Sequence, residues 1–209
     1  MTDEYKTISG GVKVEIKVRD SRFIALASPS ITKTEAEEFI AGLRRFYHDA
    51  THVCYAYRCG AVADTFRFND DGEPRGTAGK PILAAIERYG LTDIVVAVIR
   101  YFGGTKLGVG GLRRAYGGAA EHALASAAVV TKYAIEPLRI SFPHALIGNV
   151  MHVASRCGAK IVDTLYDEEV HVVLEIRKSR AEELRKFLMD QTSGNLRFTS
   201  EGSQLNPDP

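Results

Sequence analysis

The sequence predicts a two-domain α+β protein, with a first domain at residues 1–134, a second at 135–201 and a disordered tail at 202–209. Two observations predict this organisation. Hydrophobic residues make up 45% and charged residues 25% of the 209 positions, as in ordinary globular proteins. The succession of strand and helix patterns also restarts at Ile135, so we place the domain boundary near Lys132–Pro137.

The first domain opens with two strands and an amphipathic helix. Val12–Val18 alternates apolar and charged residues, which is the pattern of a half-buried strand, and Arg22–Ala27 follows as a second strand. Thr32 and Glu35 form a capping box that predicts the start of a helix. The apolar residues of that helix recur at helical spacing, at Ala36, Phe39, Ile40, Leu43, Phe46 and Tyr47.

Further along, the first domain alternates strands with helices. Pro81 suits the first turn of a helix that ends at Gly90. The nearly continuous apolar run of Asp93–Tyr101 predicts a strand that is buried on both faces. The other elements expected here are strands at His52–Arg58 and Thr65–Phe68 and an alanine-rich helix at Leu112–Ala128.

The second domain has the element order β-α-β-β-α-β, which predicts a ferredoxin-like sandwich. Ser179 and Glu182 predict the cap of a helix that runs through Met189. The expected strands are Ile135–Phe142, Lys160–Leu165, Val170–Ile176 and Asn195–Thr199, and the other helix is His144–Cys157, which ends at Gly158.

Several features predict a cytoplasmic protein. The three cysteines, Cys54, Cys59 and Cys157, form no CxxC pair and are odd in number, which favours a reducing compartment over a disulfide framework. The first residues lack the basic and apolar regions of a secretory signal. The longest apolar run is far shorter than the ~20 residues that cross a bilayer, so no membrane association is expected.

The segment from Arg100 to Arg114 is rich in glycine and in positive charge. No acidic residue occurs between Ile94 and Ala120, although the net charge of the chain is only +1. Glycine lets a backbone approach a ligand closely, and successive backbone N–H groups can bind an anion. The segment lacks the Gly-Lys-[Ser/Thr] ending of a Walker A loop, so a phosphate backbone is favoured over a mononucleotide.

The predicted helix start near Leu112 would place Arg113 and Arg114 in the first turn, where the helix dipole disfavours cations. A bound phosphate would compensate for that placement. The alternative is that the glycines only form a tight strand-to-helix crossover and that the arginines are solvated or paired with acids. The candidate anion or nucleic-acid site comprises Arg75, Lys80, Arg100, Gly103, Gly104, Lys106, Gly110, Gly111, Arg113 and Arg114.

Weaker groups of candidate residues have structural explanations as well. Asp70, Asp71 and Glu73 could serve a metal or acid–base chemistry, but they follow the preferences of an Asn-Asp-Asp-Gly turn, and Glu73 is the best single candidate for chemistry. His52 and Cys54 share a strand face without a third catalytic or metal-binding group. No catalytic residue, metal site or cofactor is therefore assigned.

Aromatic residues could stack on bases. Tyr55, Tyr57, Phe66 and Phe68 alternate along adjacent strands, and a sheet face packed under helices is favoured over a stacking platform. Of Tyr101 and Phe102, one ring is expected in the core, because successive residues of a strand point to opposite faces.

Two stretches, Gly72–Leu83 and Val98–Tyr116, resemble the signature of the IMPACT family, in particular its bacterial, YigZ-type branch. The likeness extends over roughly residues 10–130 and includes Asp20–Ile24 and Ala50–Tyr57. The resemblance implies a first domain folded like domain IV of elongation factor G, a ribosomal-protein-type βαβ sandwich, and a second folded like its domain V. It implies no catalytic residues.

Eukaryotic members of that family are linked to translational control through an additional N-terminal domain, which is not expected here. Our leading hypothesis is a non-enzymatic protein that contacts RNA, the ribosome or a translation factor and regulates translation. The alternative is a hydrolase or phosphotransferase that binds a phosphorylated ligand at the same loops, with Glu73 or His52 as the acid–base group. A surface for acidic protein partners stays open, and the oligomeric state is not predicted.

Overall fold

The computed structural model describes residues 3–60 and 65–199, so the expected tail at 202–209 lies outside the described residues. The chain divides into two compact units. One unit spans Glu4–Lys132, and the other begins at Tyr133 and includes Asp3. Both combine helices with sheets, and each has its own hydrophobic core, so the chain is a mixed α/β protein.

The first unit contains a five-stranded antiparallel sheet between two layers of helix. The strand order is β2-β3-β6-β4-β5, and β1 pairs separately with β7. The elements are β1 (Glu4–Ile8), β2 (Val12–Val18), β3 (Ser21–Pro29), α1 (Lys33–Phe46), β4 (His52–Cys59), β5 (Thr65–Asn69), α2 (Gly79–Arg88), β6 (Ile94–Tyr101), α3 (Gly108–Ser126) and β7 (Val129–Tyr133).

Strand β6 lies at the centre of that sheet and is buried on both faces, as its apolar sequence predicts. Val96 and Val98 point into the core beneath α2 and α3. Val95, Ala97 and Ile99 point into the core beneath α1. Helices α2 and α3 therefore cover one face of the sheet and α1 covers the other.

The second unit combines a four-stranded antiparallel sheet with two helices. Its strand order is β11-β8-β10-β9, and α4 and α5 contribute to the core that covers the sheet. The elements are β8 (Ile135–Phe142), α4 (Ile147–Cys157), β9 (Lys160–Tyr166), β10 (Val170–Arg177), α5 (Ala181–Gln191) and β11 (Arg197–Thr199). A short 3₁₀ turn precedes α4 and another precedes α5.

Helix caps were predicted with mixed success. The Thr32 cap is confirmed, because Thr32 Oγ1 accepts the backbone N–H of Glu35 at 3.2 Å. Gly158 closes α4 in the left-handed conformation at φ 70°. The Ser179 cap is wrong, because Ser179 Oγ donates to Asp3 Oδ2 at 2.5 Å and α5 begins without a side-chain cap. Strands β1 and β7 were not predicted, since five residues without clear alternation carry a weak signal.

Candidate functional site at the start of helix α3

Helix α3 begins at Gly108, four residues before the predicted start at Leu112. Arg113 and Arg114 therefore lie in the second turn and not in the first, so the dipole conflict expected from their position does not arise. Both side chains are exposed. The case for an anion must therefore come from their surroundings and not from their place in the helix.

The glycines of the loop before α3 have a packing role of their own. A Cβ atom at Gly103 would lie 1.9 Å from the carbonyl oxygen of Asp20, so the loop passes directly against the backbone of the β2–β3 turn. Gly108 has a φ of 71°, which L side chains rarely adopt. These two glycines therefore have the role in a tight strand-to-helix crossover that the alternative interpretation predicts, whatever the loop binds.

Arg100 is not on the exposed basic surface where the sequence places it. Its residue surface is only 5% exposed, and its Nη1 donates to Glu73 Oε1 at 2.6 Å. The guanidinium lies over the rings of Phe23 and Phe102, at 5.5 Å and 5.3 Å from their centroids. Burial of a cation requires such partners, and the alternating pattern of β6 turns this side chain inward. Arg100 is therefore removed from the set that could meet an external phosphate backbone.

Glu73 gathers three side chains around its buried carboxylate. Tyr116 donates its hydroxyl to Glu73 Oε1 at 2.8 Å, and His52 Nε2 lies 3.8 Å from the same oxygen. Burial raises the pKa of Tyr116, and the nearby Cys54 and Glu73 act in the same direction, so the phenol stays protonated and donates. Glu73 is thus a structural partner of Arg100 and not merely a turn residue, as its position in the Asn-Asp-Asp-Gly segment had suggested.

The position of His52 fixes its tautomer. Its Nδ1 lies 2.7 Å from the carbonyl oxygen of Asp71, which can only accept, so Nδ1 carries a hydrogen. In the neutral ring Nε2 then holds the lone pair on the side of Glu73. The two acid–base candidates of the sequence, Glu73 and His52, are therefore brought together, with His52 Nε2 at 3.8 Å from Glu73 Oε1.

These residues line a cavity of about 420 Å³ beside the start of α3. Its polar residues are Thr51, His52, Glu73, Arg100 and Lys106. Its other walls are formed by Pro74, Phe102, Leu107, Gly108, Val109 and Leu112. Of the predicted cations, Lys106 and Arg100 reach this cavity, whereas Arg113 and Arg114 do not.

Arg113 and Arg114 line a separate groove of about 360 Å³ between α2 and α3. Arg113 Nε donates to the carbonyl oxygen of Gly76 at 3.1 Å, which joins α3 to the loop that carries Arg75. Within residues 3–60 and 65–199, no carboxylate lies within 4.0 Å of a basic nitrogen of Arg75, Lys80, Lys106, Arg113 or Arg114.

The acids near this basic surface bind partners within the chain. Asp70 accepts the backbone N–H groups of Gly76, Ala78 and Gly79 at 2.8–3.0 Å. Burial alone would raise the pKa of Asp70, but these N–H groups and the nearby charge of Arg75 outweigh it and hold the pKa below its ordinary value. Asp71 pairs with Arg44. The carboxylates of Asp71 and Glu73 are therefore paired with other arginines, and of this segment only the charge of Asp70 acts on an exposed cation, Arg75.

The remaining candidates resolve into structural roles. Burial raises the pKa of the Cys54 thiol, which disfavours the thiolate that a nucleophile requires. Tyr55 and Tyr57 are buried beneath α1, but Phe66 and Phe68 are 59% and 40% exposed, because β5 is the edge strand. Tyr101 packs against the same core and Phe102 is exposed.

A metal centre and a membrane span have no counterpart in the part of the chain that the structure describes. Residues 3–60 and 65–199 contain no group of three or more His, Cys, Asp or Glu side chains that could hold a metal ion. In the same ranges, every helix is too short or too polar to cross a bilayer.

Comparison with known proteins places this site within a family domain. The model of the Impact N-terminal domain matches residues 19–124, which include all cavity and groove residues described above. The chain belongs to the IMPACT family. A domain of unknown function, DUF1949, matches residues 140–195 within the second unit.

Curated members of the IMPACT family resemble most of the chain. IMPACT family member YvyE from Bacillus subtilis (strain 168) is 32% identical over 93% of this chain and 89% of its own length. IMPACT family member YigZ from Escherichia coli (strain K12) is 32% identical over 90% of this chain and 93% of its own length. The crystal structure of a hypothetical protein matches with a TM-score of 0.75 at 29% identity, over 98% of this chain and 100% of that one.

Sequence reasoning missed Tyr116 and the apolar walls of the cavity. Tyr116 lies 43 positions from Glu73, and nothing in its helical spacing identifies its partner. The residue at which α3 begins decides which of its side chains face the cavity, and the sequence pattern placed that start too late. The apolar residues affected are Leu107, Val109 and Leu112. The clue available was Val109, an apolar residue among glycines and cations.

Proposed function

We propose that this protein binds RNA without catalysis, through the exposed cations Arg75, Lys80, Lys106, Arg113 and Arg114. The observation that carries this proposal is the unequal distribution of partners. The nearby acids Asp70, Asp71 and Glu73 are bound within the chain, whereas the five cations have no carboxylate partner among the described residues. The excess positive charge is thus local, although the net charge is only +1.

The groove between α2 and α3 suits a phosphate backbone, because the carboxylate in its lining, Glu121, is paired with Arg88. Small residues, Ala84, Gly117 and Gly118, form part of its lining, so a sugar–phosphate chain can approach the helices closely. Arg113 and Arg114 lie along this groove, and Lys80 adjoins it through its neighbour Pro81. Contacts to phosphate set affinity without reading sequence, so we expect broad RNA binding. A role in translation, at the ribosome or with a translation factor, rests on the family resemblance.

The salt dependence of RNA affinity tests this proposal. A labelled single-stranded RNA is titrated by fluorescence anisotropy at several KCl concentrations, where each phosphate contact contributes about 0.7 to the log–log slope. The double variant Arg113→Ala/Arg114→Ala should weaken binding and reduce the slope by about 1.4.

The matched control is Arg45→Ala/Arg156→Ala. These exposed arginines lie on α1 and α4 and have no carboxylate within 4.0 Å among the described residues, and their loss changes the net charge by the same amount. The control should keep the slope of the unmodified protein. If both double variants lose affinity equally, binding reflects total charge and the proposed surface is wrong.

We further infer the finer folds of the two units. The β-α-β-β-α-β order of the second unit, with strand order β11-β8-β10-β9, supports a ferredoxin-like fold of the kind found in domain V of elongation factor G. The similarity of the first unit to domain IV of that factor rests on the family resemblance alone. Neither fold fixes function, so the RNA proposal depends on the surface and not on the analogy.

A further inference from the structure

Arg100, which lines the cavity beside α3, has a buried donor without a partner. Arg100 is more than nine-tenths buried, and its Nε makes no hydrogen bond among the described residues. Its other nitrogens are occupied, Nη1 by Glu73 and Nη2 by Ser21 Oγ at 3.4 Å. An unpaired buried donor costs about 1–3 kcal/mol, and it is tolerated where a ligand completes the hydrogen bonding.

The start of α3 contributes positive potential to the same cavity. Its first residues, Gly108 and Val109, line the cavity, and no side chain caps the helix. The first four N–H groups of a helix have no partner within it, and together they carry roughly half a positive charge. Lys106 adds a full charge at the cavity. Because Arg100 and Glu73 neutralise each other, the balance of charge around the cavity is positive.

The walls favour a ligand that is partly apolar. Phe102, Leu107, Val109 and Leu112 form most of the non-polar lining. The volume of about 420 Å³ lies in the range of sites that bind small molecules, which combine apolar walls with a few convergent polar groups. An inorganic ion would leave these walls in contact with water, whereas an organic body would cover them.

We propose that this cavity binds a small organic oxyanion, a carboxylate or phosphate monoester with an apolar body. The oxyanion lies toward Lys106 and the N-terminus of α3, and the body packs against Phe102, Val109 and Leu112. Arg100 Nε has almost no accessible surface, so the ligand reaches this donor only if the side chain moves on binding. This site shares Lys106 with the proposed RNA surface but not Arg113 or Arg114, which line the groove and not the cavity.

The test uses phenyl phosphate and benzoate as probes on the full chain, by isothermal titration calorimetry. Benzyl alcohol supplies the ring without the charge, and inorganic phosphate supplies the charge without the ring. We expect saturable binding of an aromatic oxyanion, at least about tenfold tighter than either partial probe. The Arg100 Nε–H resonance, assigned by comparison with Arg100→Lys, should shift during the titration.

The variant Val109→Trp fills the cavity from an exposed position, since Val109 is 57% exposed. It should reduce affinity for the oxyanion about tenfold or more while RNA affinity is kept. Val162→Trp, at a half-exposed residue of β9, is the matched control and should bind normally. Circular dichroism checks that both variants are folded.

The outcomes separate this site from the RNA surface. Arg113→Ala/Arg114→Ala should lose RNA affinity and keep oxyanion affinity. The cavity proposal is overturned if neither phenyl phosphate nor benzoate binds. It is also overturned if Val109→Trp binds the aromatic oxyanion as tightly as Val162→Trp does, or if Arg113→Ala/Arg114→Ala no longer binds that oxyanion. Loss of RNA binding in Val109→Trp would equally overturn the separation, because the cavity would then be part of the RNA surface.

Discussion

Helices α2 and α3 pack side by side on one face of the sheet, and each begins at a glycine-rich loop, but the two starts are completed differently. The loop before α2 contains its own anion, since Asp70 accepts N–H groups of Gly76, Ala78 and Gly79. The start of α3 has no side-chain cap and faces a cavity. Similar composition therefore produces one closed helix start and one that is open to a ligand.

The comparison shows why a local count of charges is a poor guide to a binding site. The segment from Arg100 to Arg114 contains four cations, but Arg100 is neutralised by Glu73 inside the protein. The carboxylates of the acidic segment that begins at Asp70 likewise have backbone or side-chain partners within the protein. What matters for an external anion is which cations lack a carboxylate partner after folding, and among the described residues of this segment these are Lys106, Arg113 and Arg114.

Removing the carboxylate that closes the start of α2 should have the largest effect on stability. Asp70→Ala removes three hydrogen bonds to a carboxylate and leaves the N–H groups of buried Ala78 and Gly79 without partners, at a cost of about 3 kcal/mol in the free energy of unfolding. Urea unfolding measures this loss. Asp70→Asn keeps one acceptor and should lose less. A loss below that of an ordinary surface substitution would contradict the role of Asp70 as an internal cap.

The stabilisation by Asp70 should also depend on pH. Its folded pKa is held below the ordinary value of 3.8, so the unfolded chain binds the proton more readily. The contribution is therefore complete above about pH 4 and is lost as pH falls through the folded pKa. The difference in unfolding free energy between the unmodified protein and Asp70→Asn should shrink as the pH is lowered below 4, and a constant difference would contradict it.

The loop before the open start should be sensitive to volume. Gly103→Ala places a Cβ atom 1.9 Å from the backbone oxygen of Asp20, so the loop or the β2–β3 turn must move, at a cost of about 2 kcal/mol. Thermal and urea unfolding measure the loss. Gly118→Ala, in the interior of α3 with no atom within 4 Å of its Cβ, is the control and should not destabilise. Equal stabilities would show that the loop adjusts freely.

Much of the fold could be predicted because it depends on local patterns. The apolar run of β6 predicted burial on both faces, and Thr32 and Gly158 marked helix ends through their own backbone chemistry. The start of α3 could not be predicted, because its first four residues include three glycines and have low helix propensity. Tertiary packing holds them in the helix. Packing can override a low local helix propensity, because it supplies most of the stability of helices in proteins.

The candidate site was predictable only in part. Arg100 and Lys106 were predicted as members of the anion site, whereas Glu73 and His52 were predicted as alternatives for an acid–base group; all four line the cavity. Arg100 and Glu73 lie 27 positions apart, and the sequence does not specify which acid meets which base. The pairing of β4 with β6 aligns His52 with Arg100, and the ion pair of Arg100 with Glu73 adds the acid to the same cavity.

The smallest expected effect concerns Gly110, near the start of α3. Gly110→Ala should stabilise the protein by about 0.5–1 kcal/mol, because alanine is the better helix former and its Cβ meets only Arg114 Nη1 at 3.6 Å. Gly111→Ala is the matched control, since its Cβ would lie 3.0 Å from Leu107 Cβ and the gain should be smaller. Urea unfolding compares the two.

The same variant shows whether the open start is used. If Gly110 were present only for the fold, alanine would improve stability and leave binding of phenyl phosphate unchanged. If the ligand approaches the free N–H groups of α3, the added methyl group should weaken that binding while the protein becomes more stable. Opposite changes in stability and affinity are expected at this position, and a joint gain would indicate that the start of α3 is as closed to ligands as that of α2.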